Sequence, residues 1–411
     1  MKVVVDYIGG VSKTEILLPA SKSISNRALV IQKLGNLSCN IENLSTARDT
    51  QMLQSLLSSQ DTELYAGEGG TTFRFLIAYC AISERKSKII AGPSLSKRPV
   101  SGLIDALKVL GAHIDVEMID DHLCVSLNGG KLVSTKLVMD GTVSSQFISA
   151  LMMIAPLLDG GLEIELTGEV LSIPYIEMTA SVMSHYGINV DFSGNLISIP
   201  HGNYHSKDLV VEPDWSAASY WYEILALSDM KQILLKGLTA VSLQGDKCID
   251  NLMTQFGITT TYTSEGALIE KQTGFDMPDY FIYDFSSCPD LAPAVAVLCG
   301  GLNITADLPG LKNFRLKESD RASALQRELY NFNIKTDFCG GSKFKLYAGR
   351  GPSGTRHEVK TYNDHRIAMA MAPLCCLAGS FLIDNPLVTE KSYPDYFHDL
   401  EKAGFKISVI T

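Results

Sequence analysis

GLIDALKVLGAHIDV, residues 102–116, reads as an amphipathic helix that stops at Gly111 and runs straight into a β-prone stretch. A glycine after the last helical turn can take the left-handed backbone that closes a helix and turns the chain into a strand. The same succession recurs at MTASVMSHYGINVDF (178–192), IDNLMTQFGITTTY (249–262), SALQRELYNFNIKTDF (323–338) and YFHDLEKAGFKISV (396–409), with Gly187, Gly257, Asn333 and Gly404 at the turning point. These positions lie 70 to 76 residues apart, the mark of a duplicated supersecondary unit. A weaker copy, DTQMLQSLLSSQDTEL (49–64), makes six. Six such units are too many for one core, so three plus three in two lobes of an α/β fold is the expected arrangement.

Composition narrows the function class. The 411 residues are 46% hydrophobic and 19% charged, enough to bury large cores. A net charge of -10 argues against nucleic acid or an anionic membrane as partner, so cations that cluster locally carry more information. Nine cysteines without framework spacing, Cys375 and Cys376 adjacent in an apolar run, point to reduced thiols and a cytoplasmic protein. The apolar run in MKVVVDYIGG is too short for a signal peptide, and the one from Ile367 to Gly379 too short to span a bilayer. Neither HGNYH, with His201 and His205, nor any cysteine pair has metal-ligand spacing.

Polar motifs sit where the pattern predicts helix starts. PASKSISNRA (19–28) places Lys22, Arg27 and three serines before an apolar helix that Gly35 stops. Free N–H groups and the helix dipole make that a receptor for an anion such as phosphate, or else simply a capped surface helix. GEGGTTFRF (67–75) offers Gly69 and Gly70 for close backbone approach, Thr71 or Thr72 as cap and Arg74 as charge, without the ending of a Walker loop. In SKRPV, Arg98 opens the next helix, where a lone cation is badly placed for the dipole. Ser144, Ser145 and Gln146 are more polar groups than one cap needs, and Ser172 and Tyr175 flank Pro174 ahead of another helix. Further on, Asp214 and Ser216 read as caps in VEPDWSAASYW, and Asp290 follows Pro289 in the first turn of an apolar helix. Lys317, Glu318 and Arg321 lie on a loop capped by Ser319 or Asp320, and Lys391 just precedes the last repeat. Asn363, Asp364, His365 and Arg366 crowd the mouth of a helix that must be buried, and buried charges need partners.

The ordered set PASKSISNRA, GEGGTTFR, KRP, DGTVSSQF, SIPYIEMT, EPDWSAASY, LQGD, CPD, NFRLKESDR, TYNDHR and EKSYPDYF resembles the 3-phosphoshikimate 1-carboxyvinyltransferase (EPSP synthase) family over nearly the whole chain. The resemblance implies the enolpyruvyl transferase fold, two similar lobes each of three βαβαββ-like repeats, with the active site in the cleft between them. The expected division is 1–18 with 237–411 for one lobe and 19–236 for the other, with crossings near Leu18 and Lys236. It implies transfer of the enolpyruvyl group of phosphoenolpyruvate to the 5-hydroxyl of shikimate 3-phosphate, with release of phosphate, without metal or organic cofactor, by a cytoplasmic monomer. Motif by motif, Lys22, Ser23, Arg27, Ser144, Ser145, Gln146, Ser172, Tyr175, Asp290, Asn313 and Lys317 would hold shikimate 3-phosphate. Lys22, Gly70, Arg98, Gln146, Arg321, Arg366 and Lys391 would hold phosphoenolpyruvate, and Asp290, Glu318 and Lys22 would share the proton transfers. Such ligands suit the residues, because guanidinium forks grip phosphate and carboxylate bidentately.

Three positions depart from the pattern of that family. Glu68 stands where Asn is usual, Phe75 where Pro is usual, and the SLSK stretch before Arg98 carries fewer charges. Two other readings share the fold. A UDP-N-acetylglucosamine enolpyruvyl transferase would need a reactive cysteine on a loop of the first lobe between the helices of the second and third repeats, yet none lies between Cys80 and Cys124. A non-catalytic sensor of phosphorylated metabolites would keep the cations but has no need of Asp290 and Glu318.

Overall fold

The computed structural model describes residues 1–133, 135–142, 144–349, 351–352 and 358–410. The chain divides into two compact units, Met1–Pro19 with Glu212–Thr411, and Ala20–Val211. In the first unit, Tyr280–Ile282 pairs in parallel with Thr305–Leu308, which continues antiparallel to Lys343–Tyr347 and then Lys335–Cys339. Lys13–Leu17, Gln232–Lys236, Gly266–Lys271 and Ile258–Tyr262 repeat that order. So do Glu358–Val359, Phe381–Asp384, Lys2–Tyr7 and Phe405–Ile410. Each repeat runs strand, helix, strand, helix and hairpin, except that Lys13–Leu17 is parted from the rest of its repeat by the second unit and the last repeat takes one hairpin strand from Lys2–Tyr7.

The second unit follows the same rule. Glu63–Gly67, Lys86–Ala91, His122–Asn128 and His113–Ile119 form one sheet, and Lys136–Asp140, Leu162–Thr167, Leu196–Ile199 and Asp191–Ser193 another. The third copy is reduced to the parallel pair Ile41–Glu42 and Leu209–Val210 among the described residues. Five of the turning points are left-handed as expected: φ is +101° at Gly111, +92° at Gly187, +69° at Gly257, +62° at Asn333 and +83° at Gly404. The weak copy differs. Its helix, Arg48–Ser58, ends on Ser59 in an extended conformation, and the strand that follows opens the next sheet instead of closing its own.

The division between the units falls after Val211, not near Lys236. The helix Trp215–Leu227 is buried along its length and belongs to the apolar core of the first unit, with Val295, Leu298 and Met371. Gln232–Lys236 pairs with Lys13–Leu17 of that same unit. Both therefore leave the lobe to which the sequence reading assigned them.

In each unit the first helix of every repeat packs inside and the second covers the outer face. The inner helices are Trp215–Leu227, Ala292–Gly301 and His365–Met371 in one unit and Lys22–Leu34, Gly70–Ile82 and Ser145–Ile154 in the other. All ten residues of Ala292–Gly301 are buried, as befits a helix that is apolar all round. Arg321–Asn331, by contrast, buries one stripe, made of Arg321, Ala322, Ala324, Leu325, Glu328 and Leu329.

Candidate active site

The polar motifs gather at helix starts, those around Lys22, Gly70, Ser144, Asp290 and Arg366 at inner helices and those around Arg98, Ser172, Arg321 and Lys391 at or just before the others. In the second unit Ser21 caps Lys22–Leu34, accepting the Ile24 N–H at 3.4 Å, so the first residue inside the helix is Lys22. Lys22 Nζ lies 3.1 Å from Asp49 Oδ2, both largely enclosed. One turn on, Arg27 is 2% exposed. Its guanidinium donates to Thr179 Oγ1 at 2.7 Å, Ser149 Oγ at 3.1 Å, the Tyr175 carbonyl at 3.1 Å and the Ser23 carbonyl at 2.9 Å. Burial pulls its pKa down to about 10, which leaves it charged at neutral pH.

The Gly70–Ile82 helix begins at Gly70 with Gly69 at the cap position and no side-chain cap, so the expected Thr71 or Thr72 cap is not used. Thr72 instead donates to the Asp49 carbonyl at 2.9 Å. A Cβ on Gly70 would fall 2.6 Å from Arg74 Nη1 and 2.7 Å from Arg98 Nη1, so two guanidinium groups close over this residue. Arg74 Nη1 donates to Gln146 Oε1 at 2.6 Å, and Gln146 Nε2 to Thr71 Oγ1 at 3.1 Å. Ser144 caps the helix that holds Gln146, accepting its N–H at 3.3 Å, with Ser145 beside it. Ser172 takes a left-handed backbone ahead of Pro174, at φ +56°. Lys22, Ser23, Arg27, Gly70, Arg98, Ser144, Ser145, Gln146, Ser172 and Tyr175 all lie in this unit.

Asp290 sits in the turn just ahead of Ala292–Gly301, immediately before the cap position Leu291. Arg321 Nη1 and Arg366 Nη2 each lie 2.9 Å from its carboxylate, and Lys317 Nζ lies at 3.6 Å. Burial alone would raise the Asp290 pKa, but Arg366, Lys317 and Arg321 outweigh it and hold the carboxyl well below its ordinary range. Arg321, 1% exposed, also binds Glu318 Oε2 at 2.6 Å and Asp364 Oδ2 at 2.8 Å. Three carboxylates around one guanidinium overcome its burial and raise its pKa. Asp364 caps His365–Met371 through the Arg366 N–H at 3.0 Å, which aims that helix start at Asp290. Lys391 Nζ donates to the Asn363 carbonyl at 2.7 Å, and Asn313 opens the turn that leads to Lys317.

Several contributors carried no site role in the sequence reading. Asp49 lies in the weak repeat, Arg74 near the start of its helix, and Ser149 and Thr179 inside theirs. Asp246 of LQGD is 4% exposed and accepts from the Ser216 hydroxyl, and Ser216 Oγ lies 3.5 Å from Arg366 Nη2. Burial, then the charge of Asp290, pushes the Asp246 pKa up to about 7. Among the described residues no group of three or more His, Cys, Asp or Glu side chains could hold a metal ion.

Comparison with known proteins gives the family of the chain. Residues 52–400 match the family described as EPSP synthase (3-phosphoshikimate 1-carboxyvinyltransferase). A protein of that name from Bacteroides fragilis (strain YCH46) is 38% identical over 399 residues, covering 97% of each chain. One from Colwellia psychrerythraea is 31% identical over 424 residues, covering 95% of this chain and 96% of the relative. The solved structure of EPSP synthase from Acinetobacter baumannii superposes with a TM-score of 0.74 at 19% identity over the whole of both chains, a likeness of fold. With six repeats in two units and this match along most of its length, the chain belongs to the EPSP synthase (3-phosphoshikimate 1-carboxyvinyltransferase) family.

Proposed function

We propose that this protein transfers the enolpyruvyl group of phosphoenolpyruvate to the 5-hydroxyl of shikimate 3-phosphate and releases phosphate, on the route to chorismate and the aromatic amino acids. The observation that carries this reading, in a chain of this family, is Asp290 held by Arg321, Arg366 and Lys317 at the mouth of an apolar helix. A simple receptor for anions gains nothing from a carboxylate among its cations. Acid-base chemistry does, because the reaction needs a base near the attacking hydroxyl and an acid at the methylene carbon.

Shikimate 3-phosphate would be held by Lys22, Ser23, Arg27, Ser144, Ser145, Gln146, Ser172, Tyr175, Asp290, Asn313 and Lys317. Phosphoenolpyruvate would be held by Lys22, Gly70, Arg98, Gln146, Arg321, Arg366 and Lys391. Without substrate, the cations make Asp290 a weak base. A phosphate or carboxylate that draws on Arg321, Arg366 or Lys317 relieves that hold, so the base strengthens as the site fills. Asp290, Glu318 and Lys22 are the groups available for proton transfer. Nine unpaired thiols support a reducing compartment, the cytoplasm. The protein works as a monomer in this reading, which size-exclusion chromatography tests.

The test is phosphate release from phosphoenolpyruvate with and without shikimate 3-phosphate. Release that requires both supports the transfer. Release from phosphoenolpyruvate alone, or binding without release, overturns it.

A further inference from the structure

Glu68 lies between the strand Glu63–Gly67 and the helix Gly70–Ile82, and its carboxylate serves the backbone of a distant loop. Oε2 accepts the Leu95 N–H at 2.8 Å and Oε1 the Ser94 N–H at 3.3 Å. These residues begin the short turn Leu95–Lys97, which Arg98 closes. The fit is close. A Cβ on Gly92 would fall 2.5 Å from Glu68 Oε1, and the Gly92 N–H donates to the Gly67 carbonyl at 2.7 Å. The carboxylate therefore lies where only a glycine leaves room for it.

The far end of the same loop is held by the residue two positions on. Arg98 folds its guanidinium over Gly70, with Nη1 2.7 Å from where a Cβ would stand. Residues 68 and 70 thus grip one loop at two points: the carboxylate fixes the backbone at 94–95, and the bare Cα of Gly70 receives the side chain of Arg98. Only Ser96 and Lys97 separate the two grips, so a shift of the backbone at Leu95 passes almost directly to the Arg98 side chain.

We infer that Glu68 is a positioning residue for phosphoenolpyruvate, whose carboxylate clasps the 94–95 backbone and so sets the Arg98 guanidinium over Gly70. The inference rests on the reading in which Gly70 and Arg98 hold that substrate. A carboxylate near an anion site also repels the anion, and the two effects predict opposite signs. Both oxygens of Glu68 are engaged by N–H groups, which spreads its charge into the loop, whereas the loop held by the clasp carries a long side chain with many rotamers to lose. Positioning outweighs repulsion.

The experiment is steady-state phosphate release by the wild type, Glu68→Gln and Glu68→Ala, varying each substrate with the other saturating. Glu68→Ala should raise KM for phosphoenolpyruvate by about tenfold to thirtyfold, the range of a lost hydrogen-bonded anchor, with kcat and KM for shikimate 3-phosphate within about twofold. Glu68→Gln keeps one acceptor and should stay within about threefold of wild type. A KM for phosphoenolpyruvate that is unchanged or lower in Glu68→Ala overturns the inference, as does an equal loss on both substrates with a fall in kcat. A wild type that shows no release dependent on shikimate 3-phosphate overturns the functional reading and the inference together. An active wild type with an indifferent Glu68→Ala overturns the inference alone.

Discussion

At the scale of single residues, the partners of Asp290 set it apart from an acid that only faces a helix dipole. A helix-dipole partner gains a fraction of a kcal/mol and needs no side-chain partner, whereas Asp290 is bound by three cations. Asp290→Asn should therefore lower turnover by about 10²- to 10⁴-fold while shikimate 3-phosphate still binds, as stopped-flow turnover and calorimetry would record. Turnover near wild type would return Asp290 to a structural role. Arg366→Ala should weaken phosphoenolpyruvate by about 1.5 to 3 kcal/mol, the cost of a lost charge-assisted contact. It also removes one cation that depresses Asp290, so the Asp290 pKa should rise and the acid side of the kcat profile should move to higher pH. A profile that stays in place would mean Asp290 is not the base. The cations Lys22, Arg27, Arg321 and Arg366 were legible because they stand in dense polar runs at helix starts. Their partners were not, because Thr179 and Ser149 lie 152 and 122 residues from Arg27, distances over which sequence spacing carries no geometry.

Among the elements, the helix Trp215–Leu227 carries a conflict. Glu223 is 1% exposed on it, and neither carboxylate oxygen has a hydrogen-bond partner among the described residues. Burial, with Cys376 nearby, raises its pKa well above the ordinary 4.5. The folded state then keeps a proton that the unfolded state loses above pH 4.5, so stability falls as pH rises from there until the folded pKa is passed, by up to about 1.4 kcal/mol per pH unit. Glu223→Leu should remove that slope and gain more at pH 8 than at pH 5 in urea unfolding; equal gains at both would place the raised pKa elsewhere. Turning points behave differently. Gly257 combines φ +69° with a Phe275 ring atom 2.6 Å from any added Cβ, so Gly257→Ala should cost about 2 kcal/mol or more in the same assay. Five turning points could be read because a left-handed C-terminus depends on one local residue type. The place of Gln232–Lys236 could not, since its partner, Lys13–Leu17, lies on the far side of the whole second unit in the chain.

For the whole molecule, the decisive fact is that each unit closes its own core. One core draws on residues 3–18 and 215–405, the other on residues 20–211, and the chain passes between the units at Pro19 to Ala20 and at Val211 to Glu212. A unit with its own core and sheets can unfold as its own cooperative transition. The two tryptophans, Trp215 and Trp221, both belong to the first unit, so their fluorescence reports on that unit while far-ultraviolet circular dichroism reports on both. Urea unfolding followed by the two probes should therefore give curves that do not coincide. Shikimate 3-phosphate, whose proposed contacts lie chiefly in Ala20–Val211, sharpens the test. At a hundred times its Kd a ligand stabilises what it binds by about 2.7 kcal/mol. The dichroism component absent from the fluorescence should move to higher urea by more than the tryptophan midpoint moves. Coincident curves, with and without the ligand, would show that the two cores unfold as one and that the ligand stabilises the protein as a single body.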